Sequence, residues 1–333
     1  MSLQFKVAGK TDLGLVRSSN EDCLHLDETN RVFVVCDGMG GHQAGEVASM
    51  MAADVIEIVY NRLSQETISD SNLDTGRNVP RNGDLLLRSI RLANRAIYSK
   101  AVVQPTLLGM GTTVVALALE EDMLSVVHVG DSRAYRIGER TIEPLTIDHS
   151  WIAEVQANQM LTEEEAAKMV GKNVITRALG VRDTVEVDYR MVKVQPGDKF
   201  MICSDGLCGF ADDDEIFSVV HKVRNNIDRI VDNLIQMAND RGGADNVTVA
   251  VLEIIDVNPS DVTEIEPFTL EAEPAATLTA EDEWIERIGR LNDDSDNSSS
   301  GNPGHEPESK RGLFVVFAVF VVIAAVILYY ATR

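Results

Sequence analysis

Four aspartates carry the first chemical signal in this chain: Asp37, Asp131, Asp205 and Asp245. Each sits at one end of a short apolar run, beside glycine or a small turn. Val32–Cys36 runs into Asp37, Gly38, Met39, Gly40, Gly41 and His42. Leu124–Val129 ends on Gly130 and Asp131, Phe200–Cys203 ends on Ser204, Asp205 and Gly206, and Gly243, Ala244, Asp245 and Asn246 lead into Val247–Leu252. Acids placed repeatedly at strand ends can converge at one end of a layered core. There they repel one another unless cations neutralise them. Oxygen-only ligands favour Mg or Mn over Zn, and glycine lets a main-chain carbonyl such as that of Gly38 reach a ligand. Two such ions lower the pKa of a bridging water and clamp a phosphoryl group during in-line attack. An aspartate and a glycine after a strand are also ordinary turn residues, so the metal reading rests on the recurrence rather than on the Asp37 stretch alone.

These acids need strands to carry them and helices to cover the strands. Val32–Cys36 is short, β-branched and aromatic, as a buried strand is, and similar runs follow at 111–117, 124–129, 185–194, 200–203 and 247–252. Ala44–Tyr60 and Leu85–Ala101 read as helices with one apolar face each, separated by a polar surface insertion over 61–83. Trp151–Met160 and Thr162–Met169 read as short helices, and Ile227–Ala238 as an amphipathic helix closed by Gly242. Strands cluster without strict βα alternation, which predicts an α+β layered domain of antiparallel sheets. Strands that are apolar at successive positions need cover on both faces. Sheet packed on sheet, with helix pairs outside, provides it.

The chain has 333 residues and a formal net charge of −23, a balance that argues against a nucleic-acid partner. Much of the charge is local: residues 256–309 hold fifteen acids against two arginines. We therefore expect a domain over 1–255, an acidic disordered linker over 256–312 and a transmembrane helix over 313–331. The run from Leu313 to Ala331 carries no charge, is flanked by Lys310, Arg311 and Arg333, and contains Tyr329 and Tyr330 at its end, where an interfacial aromatic belt would lie. As a helix it would be about 28 Å long, enough to reach across a bilayer. The N-terminus shows no apolar signal core, and the four cysteines show no paired framework. The expectation is a single-pass membrane anchor with the preceding domain in the cytoplasm.

Read in order, Arg17–Asp22, Asp37–His42, Gly111–Thr113, Gly130–Arg133, Asp148–Ser150, Ile175–Gly180, Ser204–Leu207 and Asp245–Thr248 resemble the motifs of the metal-dependent Ser/Thr protein phosphatases of the PP2C type (the PPM family), the bacterial members most of all. The resemblance spans about Val7 to Leu252. It implies a four-layer α/β/β/α sandwich of two mainly antiparallel sheets flanked by helix pairs. It also implies hydrolysis of phosphoserine and phosphothreonine on proteins with Mn2+ or Mg2+, as two core ions and a third. By position, Asp37 would bridge the two core ions, Asp205 and Asp245 would complete one of them, and Glu21 and the Gly38 carbonyl would serve the other. Asp131, with Asp205, would hold the third. Asp22 would orient water, and Arg17 would grip the substrate phosphate with its two-pronged guanidinium. Residues 149–179 match the family's variable flap, where Glu163, Glu164 and Glu165 stay unassigned. Met39 stands where eukaryotic members carry a histidine proposed as general acid. His42 is nearby, either as that acid or as a structural helix-entry residue. The implied partners are phosphorylated proteins, a Ser/Thr kinase with its substrates, and a lipid bilayer. A non-catalytic phosphoprotein-binding scaffold and an anti-sigma-type regulatory phosphatase are the alternatives on the same fold.

Overall fold

Successive residues of the central strands face different cores, which is why those strands are apolar at nearly every position. In β3 (Val32–Met39), Val32, Val34 and Cys36 pack under helices, whereas Phe33 and Val35 enter a second apolar layer. In β11 (Val247–Asp256), Val247, Val249 and Val251 face one side, and Ala250, Leu252 and Ile254 the other. The computed structural model describes residues 3–41, 43–65, 77–157 and 174–272.

Two antiparallel sheets account for these faces. One orders β1 (Gln4–Asp12), β11, β10 (Lys199–Cys203), β7 (Arg133–Ile137) and β8 (Ile142–Pro144). The other orders β12 (Phe268–Leu270), β9 (Val187–Lys193), β6 (Met123–Val129), β5 (Val114–Glu120), β3 and β2 (Asp22–Asp27), with the two-residue β4 (Gly111–Thr112) paired to the end of β3. Phe33, Leu117 and Val126 meet Phe200, Ile202 and Leu252 between the sheets. Helices α1 (Gln43–Gln65) and α2 (Arg81–Val103) cover the larger sheet through Ala48, Val55, Ile90 and Ile97. Helices α4 (Asp205–Cys208), α5 (Asp213–Lys222) and α6 (Ile227–Asp240) cover the smaller one through Leu207, Ile216, Ile230 and Leu234. This is the layered α+β sandwich expected from the sequence.

Several element boundaries differ from the sequence reading. α1 runs past Tyr60 to Gln65 and α2 starts at Arg81 directly after Pro80, so the polar insertion is shorter than 61–83. α5 has no counterpart in that reading, because it opens on three consecutive aspartates that resemble a polar loop. Asp212 makes it a helix: its Oδ1 accepts from Glu215 N at 2.9 Å, while Asp212 N donates to Glu215 Oε2 at 3.0 Å, a reciprocal cap. α3 covers Trp151–Ala157; the rest of the helices expected to Met169 lies outside the described residues.

Beyond Asp256 the chain stays on the domain to the end of the described residues. Val257 is buried, Ser260 caps the carboxylate of the buried Asp122, and β12 pairs with β9 so that Phe268 lies opposite Tyr189, ring centroids 5.1 Å apart. The Arg77 guanidinium lies over the same Phe268 ring, 4.5 Å from its centre. Widely spaced apolar residues are enough to dock a segment whose average composition is polar. The remainder of the expected linker, 273–312, and the apolar run 313–331 lie outside the described residues. Among the described residues no helix is long and apolar enough to cross a membrane. Phe268→Ala should lower unfolding free energy by about 1–3 kcal/mol, since it removes a half-buried ring and its aromatic partner contact. Urea unfolding of both proteins measures it, and an unchanged midpoint would show that the segment does not support the domain.

Candidate active site

The acidic ends of five strands and loops meet at one end of the two sheets. Strand register sets the first pair: Asp22 on β2 lies directly opposite Asp37 on β3. The Asp37 backbone is gripped from the neighbouring strand, its N donating to Thr113 Oγ1 at 3.0 Å and its O accepting from Thr113 N at 2.8 Å and Thr112 Oγ1 at 2.9 Å. Glu21 sits one residue before β2, where its O accepts from Gly38 N at 3.0 Å. Its carboxylate rests on the first turn of α1, where a Cβ on Gly45 would overlap Glu21 Oε2, and a Cβ on Gly38 would overlap Gly45 O. Only glycines at 38 and 45 let these backbones close on Glu21.

Asn246 ties the loop over 13–21 to the start of β11. Its Oδ1 accepts from Glu21 N at 2.8 Å, and its Nδ2 donates to Leu13 O at 2.9 Å and Ser19 O at 3.0 Å. That one side chain therefore brings Arg17 and Glu21 to Asp245, and Arg17 Nη2 donates to Asp245 Oδ2 at 2.7 Å. Asp22 Oδ2 accepts from Ser204 Oγ at 2.8 Å and Thr248 Oγ1 at 2.7 Å, joining β2 to both strands of the other sheet that carry acids. Its Oδ1 is buried and has no hydrogen-bond partner among the described residues, and the same holds for Asp131 Oδ1.

The electrostatics are those of a crowded set of buried acids. Burial raises the Asp37 pKa well above the carboxylate range, and Asp22, Asp205, Asp131 and Asp245 push it further. Asp22 is raised to about 7 by burial and by Asp205 and Asp245, against the pull of its Thr248 and Ser204 bonds. Burial, then Asp205 and Asp148, raise Asp131 to about 7. Burial and Asp245 raise Asp205, while a bond with Asp37 and the charge of Arg17 work against the shift. An all-oxygen donor set, mutual repulsion and two orphaned carboxylate oxygens fit hard divalent cations.

The structure thus brings together Arg17, Glu21, Asp22, Asp37, Gly38, Asp131, Asp205 and Asp245. His42 lies outside the described residues, as do Glu163, Glu164 and Glu165. Met39 packs over Gly111 beside Val181. A second cluster has no assignment from the sequence: His128, His149 and Asp188, with ligand-type atoms within 4.8 Å of one another. Its cation is already present as Arg177, whose Nη1 lies 2.8 Å from Asp188 Oδ1 and 3.0 Å from His149 Nε2. That guanidinium takes the place a metal ion would need.

Layered sheets that converge buried acids under an arginine define a metal-dependent hydrolase scaffold. A family model described as protein phosphatase 2C matches residues 16–247. The serine/threonine phosphatase stp of Listeria welshimeri is 33% identical over 247 residues, covering 73% of this chain and 94% of that protein. The serine/threonine protein phosphatase PstP of Mycobacterium tuberculosis is 33% identical over 261 residues, 77% of this chain and 46% of PstP. Among solved structures, the catalytic domain of PstP in complex with two manganese ions aligns with a TM-score of 0.65 and 30% identity, covering 77% of this chain and all of that one. The chain belongs to the protein phosphatase 2C family.

The raised acids give a pH signature. A carboxyl whose folded pKa lies above its unfolded value holds a proton that the unfolded chain has released, so stability falls as pH rises through that interval. For Asp22 and Asp131 the interval runs from 3.8 to about 7. In chelator the melting temperature should therefore be higher at about pH 6 than at about pH 8. Millimolar Mn2+ should raise the melting temperature most at the higher pH, because cations replace the protons. Differential scanning calorimetry reads both. A metal-free midpoint that does not change between these pH values would count against the repulsion.

Proposed function

We propose that this chain is a protein-serine/threonine phosphatase that hydrolyses phosphoserine and phosphothreonine with a water activated by Mn2+ or Mg2+. The observation that carries the reading is the buried acid cluster, in which Asp37 feels four other aspartates beside the exposed guanidinium of Arg17. The names of the relatives, serine/threonine phosphatases, support the reaction, and the two manganese ions of the PstP structure support the cofactor.

When bound, the ions supply a nucleophilic hydroxide at neutral pH and neutralise charge on the phosphoryl group. Asp37 would serve both core ions, with Asp205 and Asp245 holding one of them and Glu21 and the Gly38 carbonyl the other. Asp131 with Asp205 would hold a third cation. Asp22, fixed through Oδ2 by Ser204 and Thr248, uses its unpaired Oδ1 to hold and orient a water. Arg17 moves one of its donors from Asp245 to the phosphate oxygens and leaves the acid to its cation. A water on Asp22 is the preferred source of the leaving group's proton, with His42 the alternative. A non-catalytic scaffold has no use for five acids that destabilise one another without cations; the same argument does not separate a general phosphatase from an anti-sigma-type regulator.

Asp37→Asn should cut phosphothreonine-peptide turnover by about a hundredfold or more, since even outer ligand partners of a metal are worth up to that factor. Phosphate release with Mn2+, with Mg2+ and with excess chelator tests the same point. Full activity in chelator or in the mutant would overturn the metal mechanism.

The apolar run from Leu313 to Ala331 is proposed as a membrane anchor, with the acidic stretch before it as a tether and the phosphatase domain in the cytoplasm. The four free cysteines, three of them buried, suit a reducing compartment. Phosphoproteins held at the membrane, among them a Ser/Thr kinase, are the substrates such an anchor would favour. A chain ending at Ala272 should leave the membrane fraction and keep its peptide turnover within about twofold, because every acid of the cluster and both sheets lie before that point. If the shortened chain still sediments with membranes, the anchor lies elsewhere.

A further inference from the structure

Asp131 follows a residue with unusual freedom. Gly130 has φ +112, and a Cβ there would lie 2.6 Å from Thr113 Cβ, so no other residue fits the position. A glycine in this region has many neighbouring conformations open to it, and something else must choose among them. That choice is made by His149. Gly130 N donates to His149 Nδ1 at 3.0 Å, and His149 N donates to Gly130 O at 2.9 Å. Both polar backbone atoms of Gly130 are thus held by one residue.

The imidazole is itself fixed on every edge. Because Nδ1 accepts from the Gly130 N–H, the ring proton sits on Nε2, where Asp188 Oδ2 at 3.2 Å holds it against the neighbouring Arg177 Nη1 at 3.0 Å. The other Asp188 oxygen accepts from Arg177 Nη1 at 2.8 Å. Burial alone would raise Asp188, but the bond it accepts from His149 keeps it well below the usual range. His128, opposite Asp188 in the β6–β9 register, stacks on His149 with ring centroids 4.6 Å apart and planes 16° apart, and it donates through Nε2 to Ile147 O at 2.9 Å. His149 O accepts from Thr176 N at 2.8 Å, so the main chain around the ring is also secured.

We propose that His149 is a positioning residue: held in one tautomer by Asp188, it fixes the Gly130 peptide so that the Asp131 carboxylate stands in the acid cluster as a cation ligand. The proposal rests on the reading of Asp131 as such a ligand. His149 touches neither substrate nor cation. Its loss should empty the cation site that Asp131 serves and spare the sites that Asp37 serves.

The test is a calorimetric Mn2+ titration of the full chain, run on the wild type, Asp131→Ala, His149→Leu, His149→Asn and Asp188→Asn, with melting temperatures to establish folding. Wild type should bind one more Mn2+ than Asp131→Ala. His149→Leu removes the acceptor and should resemble Asp131→Ala, or bind that ion about 10- to 100-fold more weakly, the usual cost of losing an outer partner of a metal site. His149→Asn keeps an acceptor oxygen near the place of Nδ1 and should recover most of the affinity. Asp188→Asn keeps the shape but not the tautomer. Arg177 holds the carbonyl oxygen of the new amide, so its NH2 faces the ring, pushes the imidazole proton to Nδ1 and sets N–H against N–H at Gly130. This variant should weaken the same site with His149 intact, and nitrogen-15 shifts of the imidazole should report the changed tautomer. If His149→Leu and Asp188→Asn fold and bind Mn2+ as the wild type does while Asp131→Ala does not, the proposal is overturned. A His149→Asn protein as defective as His149→Leu would overturn it too, because packing rather than the acceptor would then be responsible. If Asp131→Ala binds like the wild type, the reading of Asp131 fails, and the positioning role falls with it.

Discussion

Mutual repulsion among buried carboxylates is the constraint on which the rest of this structure depends. Burial and the charges of neighbouring acids raise the pKa of Asp22, Asp37, Asp131 and Asp205 at one end of the sandwich, and Asp245 adds its charge to three of them. Nothing about that arrangement favours folding in the absence of cations, so the scaffold must hold it by other means. It does so with three apolar layers. The sheet–sheet core built on Phe33, Phe200 and Leu252, and the two sheet–helix cores, run up to the acids and fix the strand ends in space. The polar pins come afterwards: Asn246 for the loop over 13–21, Ser204 and Thr248 for Asp22, Thr112 and Thr113 for Asp37. The site is rigid because its supports are bonded to backbone and to one another, not because its functional groups attract.

That division explains what can be read from the chain. The acids are visible because divalent cation chemistry restricts the residue type, and because each acid interrupts an apolar run whose strand character is local. The strands themselves are visible because burial on both faces leaves no polar position in Val32–Cys36 and few in Val247–Leu252. α5 is hidden by its own first turn, where Asp213 and Asp214 mask the reciprocal cap of Asp212 and Glu215; that four-residue spacing is the available signal. β12 is hidden by its length, three residues in an acidic stretch, and only the docking of Phe268 against Tyr189 makes it a strand.

The cluster around His149 is beyond sequence reasoning for a different reason. His128 and Asp188 become neighbours through the pairing of β6 with β9, and His149 and Arg177 reach them from loops on either side of residues 158–173. No local pattern records such a meeting. A metal-site reading of the three ligand-type side chains would be natural from composition alone. The guanidinium of Arg177 removes it, and shows that the positive charge needed by Asp188 comes from the chain.

The docking of residues 257–272 has a consequence for how the protein meets other copies of itself. Without β12 the larger sheet would end on β9, a seven-residue strand with a row of unused amide and carbonyl groups, which is the kind of edge along which chains add to one another into aggregates. β12 covers part of that edge at Val187, Asp188 and Tyr189. Being only three residues long, it offers little edge of its own. The acidic residues around it, Glu264, Glu266 and Glu271, add like charge that discourages a second chain from pairing there. The tail of the domain therefore acts as a stopper on sheet growth, a role that a proteolytic cut near residue 256 would remove while leaving every acid of the cluster in place.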